Sequence, residues 1–195
     1  MEVESVVSVT SIAGGLNGLI IGEVKEKAKH PNADRLSITR VDIGKKQALN
    51  IVCGAPNVEV GQKVIIAPVG TTLHPAEGDP FKIKEGKIRG EISQGMICAE
   101  DEIGLGDEHE GIVVLDSAAK PGELARDHFN VLEDFVFDIG LTPNRIDAAS
   151  HFGVARDIAA VLNHKGKDQV KLTKPSAEKF SIKNNKLPIP VVVED

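Results

Sequence analysis

A short basic segment of this chain has the residue types and the spacing needed to bind a polyanion. It is KHPNADRL, residues 29–36. Four of its side chains can donate hydrogen bonds to phosphate oxygens: Lys29, His30, Asn32 and Arg35. Pro31 restricts the backbone, and Asn32 and Asp34 can bond the local backbone, so we expect a rigid loop. The alternative is an ordinary hairpin turn with solvated charges.

A second basic segment is PFKIKEGKIRG, residues 80–90. It carries four basic residues against a single glutamate: Lys82, Lys84, Lys87 and Arg89. Alternation predicts a hairpin made by residues 81–84 and 87–89, with apolar and basic side chains on opposite faces. A solvated edge strand protected by lysines explains the same charges. Arg89 is the stronger candidate for binding, because it lies just before the segment 93–96.

An acidic segment follows at residues 100–110, EDEIGLGDEHE, with six acidic residues and His109. Oxygen-rich clusters suit calcium or magnesium, but Gly104 and Gly106 are misplaced for a calcium loop and no later acid completes the pattern. We therefore predict a solvated acidic helix and loop without a metal. This segment would repel phosphate, so an RNA-binding surface should lie elsewhere.

The composition of the 195 residues excludes several other classes of function. The formal net charge is −6, so nucleic acid would have to bind at a local basic patch. Six Phe and no Trp or Tyr argue against stacking successive bases on aromatic side chains. Cys53 and Cys98 suggest neither a disulfide scaffold nor a metal site, and we expect buried thiols in a reducing cytosol. No membrane-spanning run or signal peptide is seen, which predicts a cytoplasmic protein. The sequence also contains no recognisable ATP-cradling loop and no acid–base constellation, so we assign no catalytic residue.

Strand-like runs separated by Gly and Pro fill residues 19–115. The run at 36–43 alternates apolar and polar residues strictly, and the run at 19–27 begins rich in β-branched residues. The other runs are 48–53, 63–69, 81–84, 87–89, 95–98 and 112–115. This spacing predicts a small barrel or sandwich. A five-stranded OB-type barrel fits, and such barrels bind oligonucleotides on strands 2 and 3 and the adjoining loops.

The pattern changes near residue 122. Three elements are predicted beyond it: a short helix at 123–129, a strand at 135–139, and a helix between Ser150 and Gly166. The longer helix has an apolar stripe that we expect to be buried, made by Val154, Ile158, Val161 and Leu162. Seven Lys in residues 165–186 are typical of a solvated tail, and residues 187–193 are strand-forming.

Four stretches, in this order, closely resemble the N-terminal region of the beta subunit of bacterial phenylalanyl-tRNA synthetase. They are KHPNADRL, NIVCGAPNV at 50–58, GDPFKIKEGKIRGEISQGMICAEDEIGLGDEHEGIVVL at 78–115 and LTPNRIDAASHFGVARDIAAVL at 141–162. The first three also resemble a tRNA-binding OB module of many methionyl-tRNA synthetases and of free-standing tRNA-binding proteins. The fourth, with TPNR and GVARDIAAVL, favours the synthetase subunit.

The resemblance implies a non-catalytic piece of an α2β2 enzyme that joins phenylalanine to its tRNA using ATP and magnesium. Its active site lies in the alpha subunit, and its editing site lies downstream of residue 195. The implied partners are tRNA(Phe) and the alpha subunit, with no membrane. The implied fold is mostly β with an α/β flank, an OB-type barrel inserted in a small mixed α/β domain. Three parts are implied. Residues 1–17 are the truncated start of the flanking domain, and residues 18–127 are the tRNA-binding OB domain. Residues 128–195 are the remainder of the flanking domain, with the TPNR helix.

Carrying over the RNA-facing positions of the module assigns seven residues to RNA binding: Lys29, His30, Asn32, Arg35, Arg89, Ser93 and Met96. Asp34 is interpreted as a loop organiser. The module has more acidic than basic residues between positions 18 and 127, whereas free-standing relatives tend to be more basic. We therefore expect an auxiliary contact with tRNA.

Two alternatives remain open. One is a structural module for assembly of the tetramer with little RNA contact, and the other is a free-standing tRNA-binding protein. The stretch at 141–162 argues against the second. A contiguous basic face containing Lys29, Arg35 and Arg89 would favour RNA binding, whereas an exposed apolar patch would favour assembly.

Overall fold

The computed structural model describes residues 2–166 and 169–181, and strands dominate them. The strands are β1 (Glu2–Thr10), β2 (Ile20–Lys29), β3 (Ser37–Asp42), β4 (Leu49–Cys53), β5 (Lys63–Pro68), β6 (Thr72–Leu73), β7 (Phe81–Lys82), β8 (Gly86–Ile88), β9 (Glu91–Ser93), β10 (Gly95–Ile97), β11 (Val114–Leu115) and β12 (Glu133–Gly140). The helices are α1 (Ala125–His128) and α2 (His151–Lys165), with 3-10 turns at Ala13–Leu16, Asp101–Ile103 and Ile146–Ala148. The chain divides into two compact units, residues 6–136 and residues 1–5 with 137–195.

Five strands of the larger unit form a nearly closed antiparallel barrel. Their order is β10-β5-β2-β3-β4, and the short β11 adds to β5. The barrel closes where β4 meets the residues before β10. There, the Gln94 amide donates to the Asn50 carbonyl at 2.8 Å, and the Val52 amide donates to Ser93 Oγ at 3.1 Å. The predicted five-stranded OB-type barrel is confirmed.

The long strand β2 bends so that it can pair with two partners. Ile20–Glu23 pair with β5 and Glu23–Lys29 pair with β3, with a register shift between Val24 and Glu26. Such bulges increase local twist and help a sheet to close. Gly22 lies shortly before this shift and pairs with Val64; a Cβ on it would come within 2.6 Å of Val41 Cγ1, so a larger residue would need the neighbouring side chains to move.

The barrel is held by two apolar clusters. One is centred on buried residues of the five strands: Val24, Val41, Ile51, Val64, Ile66 and Ile97. The other lies against β5, β6 and α1 and includes Leu16, Leu19, Ile65, Leu73, Cys98 and Ile103. Cys53 and Cys98 are free and buried, as predicted, and burial raises the pKa of both thiols. Full burial of these aliphatic side chains typically contributes about 1.5–3 kcal/mol each.

The predicted hairpin of residues 81–84 with 87–89 is wrong. β7 pairs with β6, and β8 pairs with β9. The reason is local, since Arg89 and Gly90 make a two-residue turn that returns the chain directly from β8 to β9.

Helix α2 is confirmed, including its cap, but the predicted burial of its apolar stripe is wrong. Ser150 Oγ accepts a hydrogen bond from the Gly153 amide at 3.0 Å. Ile158, Val161 and Leu162 are 49%, 54% and 47% exposed. The buried positions are instead Gly153 and Ala159, because the helix start approaches the backbone at Asp147 so closely that a Cβ on Gly153 would clash.

Arg145 joins the turn before α2 to the helix itself. Its guanidinium donates to Asp147 Oδ1 at 3.0 Å and to Asp157 Oδ2 at 2.6 Å. The hydrogen bond from Arg145 lowers the pKa of Asp147, with partial opposition from desolvation. The TPNR turn therefore anchors the helix through the ion pair between Arg145 and Asp157.

Among the described residues, none of the helices has the length and apolarity to cross a membrane. Residues 169–181 contain no helix or strand and are mostly exposed. The strand-forming residues 187–193 lie outside the described residues.

Candidate nucleic-acid interface

The loop between β2 and β3 is ordered by a histidine ring. The His30 amide donates to the Leu36 carbonyl at 3.0 Å, which closes the loop at its base. Within the loop, the Asn32 amide donates to His30 Nδ1 at 3.0 Å. The sequence predicted this rigidity but assigned it to Asn32 and Asp34. Asp34 instead pairs with Lys29, with Oδ1 and Nζ 2.9 Å apart.

The hydrogen bonds of His30 define its tautomer. Its side chain is buried, with only 2% of the residue exposed. Because a backbone amide can only donate, Nδ1 must be the acceptor and Nε2 must carry the proton. Nε2 lies 3.1 Å from the Ile88 carbonyl oxygen and donates to it. The neutral ring therefore satisfies both contacts, one inside its own loop and one to the β8–β9 hairpin.

The β8–β9 hairpin turns through Arg89 and Gly90 in an unusual backbone conformation. Their φ angles are 50° and 108°, as the type I′ turn requires at both central positions. Gly90 adopts positive φ without strain, and Asn is the usual residue at the first position. An arginine there is strained, and its side chain is exposed at the tip of the turn.

Two hydrogen bonds hold this turn against the β2–β3 loop. One is from His30 Nε2 to the Ile88 carbonyl, and the other is from Asn32 Nδ2 to the Arg89 carbonyl at 3.2 Å. We call residues 29–36 and 88–91 the paired loops. They bring Lys29, Arg35 and Arg89, all exposed, to one part of the barrel surface.

The charges of the paired loops are available to an anion. Lys29 and Asp34 form an ion pair whose side chains are 72% and 93% exposed, so it is worth little and can yield to a phosphate. In the part of the chain that the structure describes, neither Arg35 nor Arg89 belongs to an ion pair. Beside the loop is an open concavity of about 610 Å³, lined by residues that include Lys27, Lys29, Arg35 and Pro56.

Ser93 and Met96 occupy less accessible positions than the basic residues. Ser93 is 4% exposed; its Oγ accepts from the Val52 amide and donates to the Gly95 carbonyl at 2.9 Å. Met96 is half-buried and packs against the second apolar cluster. Both line a second concavity of about 470 Å³, whose lining also includes the acidic Glu102 and Glu110. Contact of Ser93 and Met96 with RNA stays a prediction.

The acidic segment forms a 3-10 turn and a loop. Glu102 Oε2 accepts a hydrogen bond from the Ala99 amide at 2.7 Å, and His109 Nδ1 lies 2.7 Å from Asp101 Oδ2. Within residues 2–166 and 169–181, no group of three or more His, Cys, Asp and Glu side chains is arranged to hold a metal ion. The segment's negative charge makes its surface a poor place for phosphate.

Sequence reasoning identified the basic side chains of the site but missed what holds them together. His30 was assigned to RNA contact, yet its ring is enclosed by protein groups. The unusual backbone at Arg89 was missed as well. The sequence signal was weak, because Gly90 suits the second position of a two-residue hairpin turn but Arg89 is not one of the usual residues at the first.

Sequence comparison relates this chain to known proteins. Residues 19–124, more than half of the chain, match the family described as the putative tRNA binding domain. The phenylalanine–tRNA ligase beta subunit of Bacteroides fragilis is 53% identical over an alignment of 196 positions, which covers 100% of this chain and 24% of that subunit. The same subunit of Yersinia pestis is 44% identical, over 94% of this chain and 22% of that subunit.

The chain thus spans about a quarter of the length of these relatives and matches their N-terminal part. Among solved structures, the C-terminal domain of Plasmodium vivax p43 is 23% identical, with a TM-score of 0.38, over 54% of this chain and 56% of that chain. That likeness is too low to carry an argument. The sequence match and the barrel with its basic loops together show that the chain belongs to the putative tRNA-binding domain family.

Proposed function

We propose that this chain contacts tRNA(Phe) through the paired loops, as the N-terminal part of a phenylalanine–tRNA ligase beta subunit. One observation carries the proposal. Two hydrogen bonds join the β2–β3 loop to the β8–β9 hairpin, so that Lys29, Arg35 and Arg89 are presented together from a rigid base. OB-type barrels bind oligonucleotides on their second and third strands, here β3 and β4, and on the adjoining loops. Lys29, Arg35 and Arg89 lie on such loops.

The chemistry of the paired loops favours the sugar–phosphate backbone over the bases. Arg35 and Arg89 have planar guanidinium groups that can hold a phosphate through two hydrogen bonds. The paired loops contain no Phe, Tyr or Trp, and the ring of His30 is buried, so no base could stack there. Phosphate contacts position a protein without reading sequence, so cognate and unrelated tRNA should be bound similarly by this chain alone.

A salt-dependent titration tests this role. We expect wild-type chain to bind tRNA at low salt, with affinity falling as salt rises because bound cations are released. The double variant Arg35→Ala/Arg89→Ala removes two phosphate contacts. Its slope of log affinity against log salt should be shallower by about 1.4–1.8, since each contact contributes roughly 0.7–0.9.

A matched control is Lys45→Ala/Lys46→Ala. These two exposed lysines follow β3, whereas the β2–β3 loop precedes it. The six residues of β3 separate the two positions by roughly 20 Å. The control should leave the slope unchanged. An equal loss of slope in both double variants would show that net charge alone drives binding and would refute a site at the paired loops.

The complete enzyme belongs to the same proposal. The relatives named as phenylalanine–tRNA ligase beta subunits suggest that the full protein joins phenylalanine to tRNA with ATP and magnesium, together with an alpha subunit in an α2β2 tetramer. This chain would supply neither the active site nor the editing site. The cytoplasm is the compartment in which such a synthetase would work.

A second function, assembly, is favoured by exposed apolar side chains outside the barrel. β1 and β12 pair in a two-stranded sheet, and Val7, Val9 and Phe135 on it are 55%, 41% and 54% exposed. A contiguous patch of exposed apolar side chains is typical of a protein contact. Phe135→Ser should leave tRNA binding by this chain intact but weaken association of the full-length subunit with the alpha subunit. Unchanged association would contradict the assembly role.

A further inference from the structure

We propose that His30 and Asn32 are positioning residues that hold Arg89 in its left-handed backbone conformation and aim its side chain at the RNA. The inference rests on the proposed function for its RNA readout. It departs from the expectation that His30 touches RNA itself, because the ring is 2% exposed and both nitrogens are engaged by protein groups.

The two hydrogen bonds act on the two peptide groups that flank the Arg89 Cα. The Ile88 carbonyl belongs to the peptide group before Arg89, and the Arg89 carbonyl belongs to the one after it. His30 Nε2 holds the first at 3.1 Å, and Asn32 Nδ2 holds the second at 3.2 Å. Each bond restrains one of the two peptide planes and hence φ or ψ of Arg89, in addition to the turn geometry that the Ile88–Glu91 pair requires. The loop therefore reinforces the conformation of the turn residue.

This restraint is needed because arginine does not favour that conformation. At a φ of 50° the Cβ of any L residue crowds its own backbone, and Gly, Asn or Asp are the usual occupants. Strain of this kind persists only where the surroundings impose it, and it marks functional positions. Arginine at this position places a positively charged guanidinium at the exposed tip of the turn.

Only one protonation state of His30 makes both contacts. The Asn32 amide needs an acceptor at Nδ1, and the Ile88 carbonyl needs a donor at Nε2. The neutral ring with its proton on Nε2 provides both. The same ring thus orders its own loop and anchors the neighbouring turn, which Asn32 Nδ2 holds through a second hydrogen bond.

Two substitutions separate the two roles of the ring. In His30→Asn, the side-chain oxygen takes the place of Nδ1 and can keep the turn inside the loop, while the side chain is too short to reach Ile88. In His30→Gln, the longer amide can still donate to the Ile88 carbonyl. We expect His30→Asn to lose the positive φ of Arg89 and His30→Gln to keep it. Asn32→Ala removes the second bond at an exposed position, where folding is not threatened.

The first readout needs no RNA. In the free protein, the intraresidue amide-to-Hα NOE and the three-bond coupling of Arg89 report its φ, and nitrogen shifts of His30 report the tautomer. We expect the Nε2-protonated form in wild type, and a changed Arg89 φ in His30→Asn and Asn32→Ala. An unchanged φ in both variants, or a ring protonated on Nδ1, would overturn the proposal whatever happens to RNA binding.

The second readout is the salt slope for tRNA. His30→Asn should lose about one contact, roughly 0.7–0.9 in slope, as Arg89→Ala does, and His30→Gln should retain it. Combining His30→Asn with Arg89→Ala should cost no more than Arg89→Ala alone, because the histidine acts through the arginine. Additive losses would show direct RNA contact by His30 and refute the positioning role. If Arg89→Ala itself has no effect on the slope, the proposed RNA contact fails, while the backbone readout still decides the positioning role.

Discussion

Replacing Arg89 by Asn should make the protein more stable and, at the same time, weaken its binding to tRNA. Arg89 has φ of 50° and is followed by Gly90 at 108° in a two-residue turn between β8 and β9. Asn followed by Gly is the sequence that this turn prefers. The substitution therefore relieves backbone strain without disturbing the hairpin, and it removes one guanidinium.

The magnitude follows from the cost of left-handed backbone. That conformation costs an ordinary residue about 1–2 kcal/mol, and asparagine is among the few that adopt it routinely. We expect Arg89→Asn to gain about 1 kcal/mol in the free energy of unfolding. For a chain of 195 residues that gain corresponds to roughly 2–4 °C in melting temperature. The salt slope for tRNA should fall by about 0.7–0.9, one phosphate contact.

Thermal melts and salt titrations of two matched variants decide the question. Lys87→Asn removes the same charge from the same hairpin, but Lys87 is not among the residues with positive φ. Lys87→Asn should therefore leave the melting temperature unchanged. A melting temperature that falls in Arg89→Asn, or changes equally in both variants, would refute the reasoning from strain. Full retention of the salt slope would refute the contact.

Three further outcomes follow from individual contacts. Asn57→Ala should lower the free energy of unfolding by about 2 kcal/mol in urea titrations, because the side chain makes two 3.0 Å hydrogen bonds to the buried backbone of Ile112. Since Arg145 lowers the pKa of Asp147, the stabilisation from this pair should be present well above the ordinary pKa of an aspartate and lost as pH falls through the lowered one, so Asp147→Asn should flatten the acid limb of stability measured by melts. Ile158→Asp should change the free energy of unfolding of this chain by less than about 0.5 kcal/mol in urea titrations, because Ile158 is 49% exposed.

The barrel could be predicted from the sequence because its signals are local. The strict alternation of residues 37–42 follows directly from a strand with one face in the core, and β3 was predicted to within one residue at each end. Ser150 likewise marked the start of α2, because a capping hydroxyl acts within a few residues of its own position.

The paired loops could be predicted only in part, because what joins them is not local. His30 and Ile88 are 58 residues apart in the sequence, and nothing near either residue indicates that they meet. The burial of the apolar stripe of α2 could not be predicted from local sequence either. Periodicity identifies the apolar face of a helix but not whether another segment covers it, and Gly153 and Ala159 supply the close contacts instead.

Amide chemical shifts of the isotopically labelled chain, followed during titration with tRNA, test the central claim most directly. The claim is that tRNA approaches the paired loops. We predict that the largest changes fall on residues 29–36 and 88–91, with small changes across the acidic segment 100–110. The changes should fade as salt is raised, because the contacts are to phosphates. Changes centred on the acidic segment or on α2, with the paired loops unaffected, would contradict the assignment of the tRNA-binding face.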